Sequence, residues 1–321
     1  INNSGNSSSE NNISSPPSNS VNQQKSINNK SKISIGIVFS ITEVICTIII
    51  ASIVKFIAVE TSVFMILFFR YLFCIPLLLI TAIYQRKLKA FHVVSKLSLA
   101  IRTITGLGSF GCLFAALQFI DISLMTTLLQ TMPLFVTLLA PIVIKEVVGW
   151  YRKIIALIGF GGVLLILDPF SKEWNNIGII FGLLSPFFGA LMTIYVRKLS
   201  NTDHPTTIAL WYNVFGLIIF MFICILDKSE LPKNNHLLFL LIMIGILSSF
   251  QQYFLAYSLK MAPVSLLAPL RYISVPIGIV VGVYVFNEII SSTFYVGSLI
   301  IVFSSLVIIK REGKKTLHFK K

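Results

Sequence analysis

Charge is what this sequence has least of. Asp, Glu, Lys and Arg make up 12% of its residues, about half of the roughly 25% usual in a soluble domain. So few charges cannot cover a water-soluble fold in which 55% of residues are hydrophobic and the mean hydropathy is +0.87. Acids are the scarcer sign, 12 Asp and Glu against 26 Lys and Arg. In a soluble protein that surplus would suggest nucleic acid; here it reads as membrane topology. His92, His204, His236 and His318 all lie in links or in the tail, which weighs against a buried metal centre. Cys46, Cys74, Cys112 and Cys224 each sit inside an apolar run, so they suit neither a disulfide framework nor a zinc site. No GxxxxGK[ST] stretch occurs, which argues against an ATP-driven pump within this chain.

What is present is apolar length. Runs of roughly 20 residues, enough to cross the hydrocarbon core as helix, recur near 33–54, 63–84, 97–117, 122–144, 153–168, 177–196, 206–226, 237–258, 264–286 and 293–309. They do not alternate in polarity as barrel strands do. The sequence therefore predicts an all-α membrane protein of ten transmembrane helices. Residues 1–32 are dominated by Asn and Ser, with Pro16 and Pro17. They are expected to be disordered, because they bury too little apolar surface to offset the entropy of ordering. Residues 312–321 form a basic tail.

The chain also repeats itself. Ser109, Phe110, Phe114 and Ala116 fall on Ser249, Phe250, Phe254 and Ala256. After a two-residue insertion, Ser123, Leu124, Leu128 and Glu146 fall on Ser265, Leu266, Leu270 and Glu288, and Tyr272 overlies Gln130. Pro133 and Pro276 lie within one place of each other. Internal repeats in a chain this apolar point to a transporter with two related halves. Residues 33–168 and 177–311 are the two five-helix repeats. An odd number of spans in each gives them opposite orientation.

Lys and Arg in the links set that orientation. Lys55, Lys172, Lys228 and Lys233 fall on one side, Arg70 and Arg271 lie within spans, and the other basic residues share the side of the N-terminus. Both termini are expected in the cytoplasm. Gly178–Gly182 and Gly278–Gly282 offer close helix approach.

Ionisable residues inside a span cost roughly 2.5–3.5 kcal/mol each even on a lenient scale, so they are candidates for function. Glu43 falls at the middle of span 1. At roughly 1.5 Å per residue, Arg70 and Arg271 lie about 5 and 6 Å from the middles of spans 2 and 9. Arg102 is nearer the edge of span 3. One carboxylate with two arginines suits a solute bearing carboxylate or phosphate. The structural alternative is that Glu43 pairs with an arginine to hold the bundle, while Arg102 snorkels to the headgroups.

Gly36, Ser40, Glu43 and Thr47 share one small polar face, as do Thr126, Gln130, Pro133 and Thr137, and Arg271, Ser274, Gly278 and Gly282. Gln251, Gln252 and Tyr253 cluster in span 8. The candidate solute-binding residues are Arg271, Glu43, Arg70, Tyr272, Gln130, Gln252 and Tyr253, against the alternative of hydrogen bonding between helices. Glu43 is also assigned the coupling role, because its face is small enough to admit water and a proton. Pro133, Pro186, Pro269 and Pro276 are hinge candidates. Glu146 and Glu288 are read as structural acids that favour the N-terminal dipole of the helix that follows each.

The segments FFRYLF at 68–73, ALQFIDISLMTTLLQTMPLF at 116–135, KE at 145–146, AYSLKMAPVSLLAPLRY at 256–272 and FNE at 286–288 resemble the drug/metabolite transporter superfamily, specifically its EamA-type ten-helix members. The resemblance covers about residues 33–311. The family more often has Gly-Glu where this chain has Lys145-Glu146 and Asn287-Glu288. It implies a secondary transporter whose cavity is lined mainly by spans 1, 3, 4, 6, 8 and 9, with spans 5 and 10 peripheral.

The expected partners are a small-molecule solute and the lipid bilayer, with a homodimer as a candidate assembly and no nucleic acid. No cofactor, metal or catalytic residue is expected. Within the superfamily the runner-up is a nucleotide-sugar or sugar-phosphate antiporter, whose lysine-rich signature is not evident in residues 258–288, where Lys260 stands alone. A membrane-embedded enzyme would need paired acids or a histidine in the bundle, and Glu43 is the one span-centre acid in the sequence.

Overall fold

A helix satisfies its own backbone polar groups, which is the condition for crossing lipid, and the apolar runs meet it throughout. The computed structural model describes residues 18–86, 91–145, 149–167, 177–199, 202–228, 231–232, 234–261 and 267–318. The first half comprises α1 (Ser18–Ile57), α2 (Val63–Arg86), α3 (Lys96–Ala116), α4 (Ile122–Leu129), α5 (Met132–Val143) and α6 (Trp150–Leu167). The second comprises α7 (Ile177–Leu199), α8 (Pro205–Leu226), α9 (Asn235–Met261), a 3-10 turn (Ala268–Ile273), α10 (Ser274–Phe286) and α11 (Ser292–His318). No strand occurs among the described residues. Eight segments are long and apolar enough to span a bilayer, counting α4 and α5 together, and Leu270–Phe286 and Ser292–Ile308 are shorter apolar helices.

Two expectations on the tail need correction or fall outside this description. Residues 18–32, expected to be disordered, are helical and continue α1 outward from its apolar part. Once a helix is nucleated, each further residue adds a hydrogen bond for little ordering cost, and the apolar span supplies the nucleus. Residues 1–17 lie outside the described residues, as do Glu146 and Ser265.

The helices pair as an inverted repeat requires. The first helix of each half packs on the third of the other: α1 lies on α9, and α7 lies on α3. The second helices, α2 and α8, pack together, as do α4 with α10 and α6 with α11. Gly162 and Gly297 sit where α6 crosses α11. A Cβ on Gly162 would stand 2.9 Å from the Gly297 carbonyl oxygen, and one on Gly297 would stand 2.7 Å from that of Gly162. Leu157, Ile158, Leu164, Leu299 and Phe303 are exposed on this pair, an apolar surface suited to lipid at the periphery.

Two interruptions matter for the site. Span 4 breaks between α4 and α5, where Gln130 N bonds Thr127 O at 3.0 Å and Thr131 N bonds Leu128 O at 2.9 Å. Pro133, with no N–H, leaves the Leu129 carbonyl without its helical donor. Span 9 opens as the 3-10 turn before α10, where Pro276 does the same to Tyr272. Of the proline hinge candidates, Pro133 borders the break in span 4, Pro269 lies within the 3-10 turn and Pro276 follows it in the first turn of α10. Pro186 lies inside α7 without ending it.

One end of the bundle is tied by Lys55. Its Nζ donates to Glu288 Oε1 at 2.9 Å, to the Ile120 carbonyl at 3.1 Å and to Asp121 Oδ1 at 3.4 Å. The Glu288 side chain is 2% exposed. It also accepts from Ile122 N at 2.7 Å, Ser123 N at 3.2 Å and Ser123 Oγ at 2.6 Å. Glu288 therefore does sit on a helix N-terminus, but that of α4 in the other half rather than that of α11, which follows it in sequence. A Cβ on Gly282 would collide with this carboxylate; the backbone of α10 needs glycine there. At the opposite end, Asp203 accepts from Val94 N at 2.7 Å and Ser95 N at 3.2 Å, fixing the approach to α3.

Candidate functional site

Glu43 lies in the apolar part of α1, and its side chain is 4% exposed. A carboxylate there needs a partner, and the 3-10 turn brings one: Arg271 Nη2 donates to Glu43 Oε1 at 3.1 Å. The Arg271 side chain is 47% exposed, so one face of the guanidinium remains open while the other holds the acid. Thr47, one turn along α1, donates from Oγ1 to the Glu43 carbonyl at 2.9 Å and lies 3.4 Å from Oε1. Gln251 Nε2 on α9 in turn donates to Thr47 Oγ1 at 2.8 Å. The result is a polar chain from α9 through α1 to the interrupted span 9.

The interruption of span 4 joins the same region. Gln130 caps the end of α4, and its Nε2 donates to Ser274 Oγ, at the start of α10, at 2.8 Å. Its backbone carbonyl accepts from Ser305 Oγ at 3.0 Å. Tyr272, its counterpart in the repeat, occupies the 3-10 turn beside Arg271. Its hydroxyl is buried beside Ser305. The two equivalent breaks thus meet, and each places a polar side chain where regular helix would have offered an apolar wall.

An aromatic wall stands one turn away on α1 and α9. Phe39 stacks on Phe254 at 5.6 Å between centroids and meets Tyr257 edge-on at 6.2 Å. Tyr253 lies 4.3 Å from Tyr257.

Of the residues expected from sequence, Glu43 and Arg271 are in direct contact, Gln130 and Tyr272 flank them at the breaks, and Tyr253 belongs to the aromatic wall. Two are placed elsewhere. Gln252 points to α2 and α8, where Nε2 lies 3.0 Å from Cys74 Sγ and the Asn213 amide donates to its Oε1 at 3.2 Å. Gln251 is the residue of that cluster that reaches Glu43; neighbours on a helix face different ways, and sequence alone did not say which faced α1. Arg70 is the other. It is 1% exposed and rests on the rings of Phe110, at 3.8 Å, and Tyr71, at 5.0 Å, between α2 and α3 and away from Glu43. Arg102, expected to reach the headgroups, is instead buried with its guanidinium 3.9 Å from the Tyr212 ring centroid. Among the described residues no group of three or more His, Cys, Asp or Glu side chains could hold a metal ion.

Comparison with known proteins matches two stretches, residues 34–168 and 176–310, to the model of the EamA-like transporter family. A riboflavin transporter of Vibrio cholerae is 29% identical over 189 residues, 59% of this chain and 63% of that protein, so the match spans less than two thirds of that relative. An uncharacterized transporter of Helicobacter pylori is 30% identical over 239 residues, covering 72% of this chain and 80% of its own. An S-adenosylmethionine uptake transporter of Rickettsia prowazekii is 23% identical over 262 residues, covering 81% and 87%. A solved crystal structure shares the fold, with a TM-score of 0.60 at 16% identity over 89% of this chain and 99% of its own.

Proposed function

The chain belongs to the EamA-like transporter family, and from that premise we propose that it is a secondary transporter that moves a small organic solute by alternating access. The solute carries an anionic or zwitterionic group, and its site lies where the interrupted spans meet α1 and α9. Both termini face the cytoplasm, as the bias of Lys and Arg among the links supports.

The observation that carries this reading is the Arg271–Glu43 pair on an interrupted helix. Irregular backbone at membrane depth is tolerated where it lines a cavity or is buried in protein. Here it holds a half-exposed guanidinium against a buried acid. A carboxylate or phosphate arriving at the open face of Arg271 competes with Glu43 for the same donors. Glu43, displaced from Arg271, is the coupling group of the cycle, and release of the solute restores the pair. The wall of Phe39, Phe254, Tyr253 and Tyr257 suits a planar ring on the same solute, as the riboflavin and S-adenosylmethionine of the named relatives would offer.

The test is uptake into liposomes holding the purified protein, with a panel of labelled solutes that pair an aromatic ring with carboxylate, phosphate or neither. Uptake of the anionic members, accelerated by a pH gradient, is the expected result. Glu43→Gln should abolish gradient-driven accumulation yet preserve exchange at equal pH. Loss of both activities, or of neither, removes Glu43 from the coupling step.

A further inference from the structure

Among the described residues, two buried cations in the bundle pair with no acid. Arg70 on α2 and Arg102 on α3 are 1% and 9% exposed. Among the described residues, both terminal nitrogens of Arg70, and Nε and Nη1 of Arg102, are buried without a well-formed hydrogen bond, the Tyr212 hydroxyl being the polar group that faces Arg70. Arginine cannot escape by losing its proton, and an unpaired buried charge is strongly unfavourable. Glu43, the one span-centre acid in the sequence, is engaged by Arg271.

The two sites are one place. Arg70 lies against Tyr71 and Arg102 against Tyr212, and these tyrosines join hydroxyl to hydroxyl at 2.7 Å with ring centroids 5.5 Å apart. Phe110, at 3.8 Å from the Arg70 guanidinium, and Phe114, at 5.9 Å, close the far side. Cation–π contacts of this kind offset only part of what two buried guanidinium groups require. They also leave the in-plane N–H groups unused, which is where a planar oxyanion binds in two places. The guanidinium donors left between α2, α3 and α8 call for an acceptor.

We propose that Arg70 and Arg102, with the Tyr71–Tyr212 hydroxyl pair, form a second oxyanion site within the bundle, between α2, α3 and α8, which receives the carboxylate or phosphate of the transported solute. This rests on the transport reading and adds a station apart from Arg271. With both guanidiniums closed off from solvent, the site is occluded here, and the anion enters when α2 and α3 part. The Arg70 fork takes the two oxygens, Arg102 supplies the second charge, and one tyrosine hydroxyl donates to a remaining lone pair.

The test is thermal unfolding of the full chain in nanodiscs of zwitterionic lipid, titrated with inorganic phosphate against potassium chloride of equal ionic strength. Phosphate should raise Tm by roughly 3 °C or more where chloride does not. The rise should vanish in Arg70→Gln and Arg102→Gln, shrink in Arg70→Lys, and persist in Lys198→Gln, which removes an exposed charge. The wild-type titration needs no variant to fold, and a phosphate response no larger than that of chloride overturns the proposal. So does an equal response in wild type and both glutamine variants. A rise that requires phosphatidylglycerol in the disc rather than free phosphate assigns the site to a lipid headgroup and overturns its role toward the solute. Liposomes that show no uptake although phosphate still binds would sink the transport reading alone.

Discussion

Lys145 and Asn287 occupy equivalent places in the two halves, each just past an inward helix, and both take a left-handed φ, 54° and 53°. Most L residues pay about 1–2 kcal/mol in that region, glycine pays nothing and asparagine tolerates it. That is the physical reason a glycine suits this position before the glutamate. Lys145→Gly should therefore stabilise the protein by on the order of 1 kcal/mol, net of the entropy glycine adds to the unfolded chain, and Asn287→Gly by less. Thermal unfolding in detergent measures it; a lower Tm for Lys145→Gly would refute the account of this turn. At the same scale, Glu43 and Arg271 were legible in the sequence because a charge in an apolar run must find a partner. Which partner was not legible: Arg70 and Arg271 were both candidates, and only the 3-10 turn brings the latter to α1. The burial of Arg102 was hidden for a similar reason, since the Tyr212 ring that receives it comes from the other half.

The interruptions decide how elements meet. Pro133 and Pro276 marked their neighbourhood in the sequence, but a proline in a membrane helix can leave only a kink. The full break at Gln130 and the 3-10 turn at Ala268–Ile273 depend on contacts between α4 and α10 that no local pattern reports. Glu288 shows the same limit. Its role at a helix N-terminus was expected, yet the helix it serves belongs to the other repeat. Burial pushes its carboxyl up, but donation from Ser123, Lys55 and Ile122 outweighs this and holds it below the ordinary carboxylate range. A group with a depressed folded pKa stabilises above its unfolded value, about 4.3, and that contribution fades as pH falls through the folded one. Glu288→Gln should accordingly lower stability at pH 7 by about 3–5 kcal/mol, the range for breaking a buried pair. The gap to wild type should close below pH about 4. A gap independent of pH would mean that the charge on Glu288 does not hold the Lys55 end together.

At the scale of the whole molecule, the inverted repeat was readable from Ser123, Leu128 and Glu146 recurring at Ser265, Leu270 and Glu288, and the symmetric helix pairs agree with it. Orientation follows from charge alone. The triplets at Asn2, Asn6, Asn12 and Asn29 should stay free of glycan when the intact chain is expressed in a glycosylating host, which is the outcome the proposed cytoplasmic N-terminus requires. A gel shift reversed by glycosidase would overturn that orientation. The placing of solute between the halves is the central claim, and Arg271 is where it is most exposed to test. Arg271→Lys keeps the charge beside Glu43 but removes the planar fork that grips an oxyanion in two places. The direct measurement is the initial rate of uptake of an anionic solute into liposomes carrying equal amounts of folded wild-type or Arg271→Lys protein. A fall of about tenfold or more in the variant is the predicted result; wild-type uptake kinetics would contradict the claim that Arg271 holds the solute.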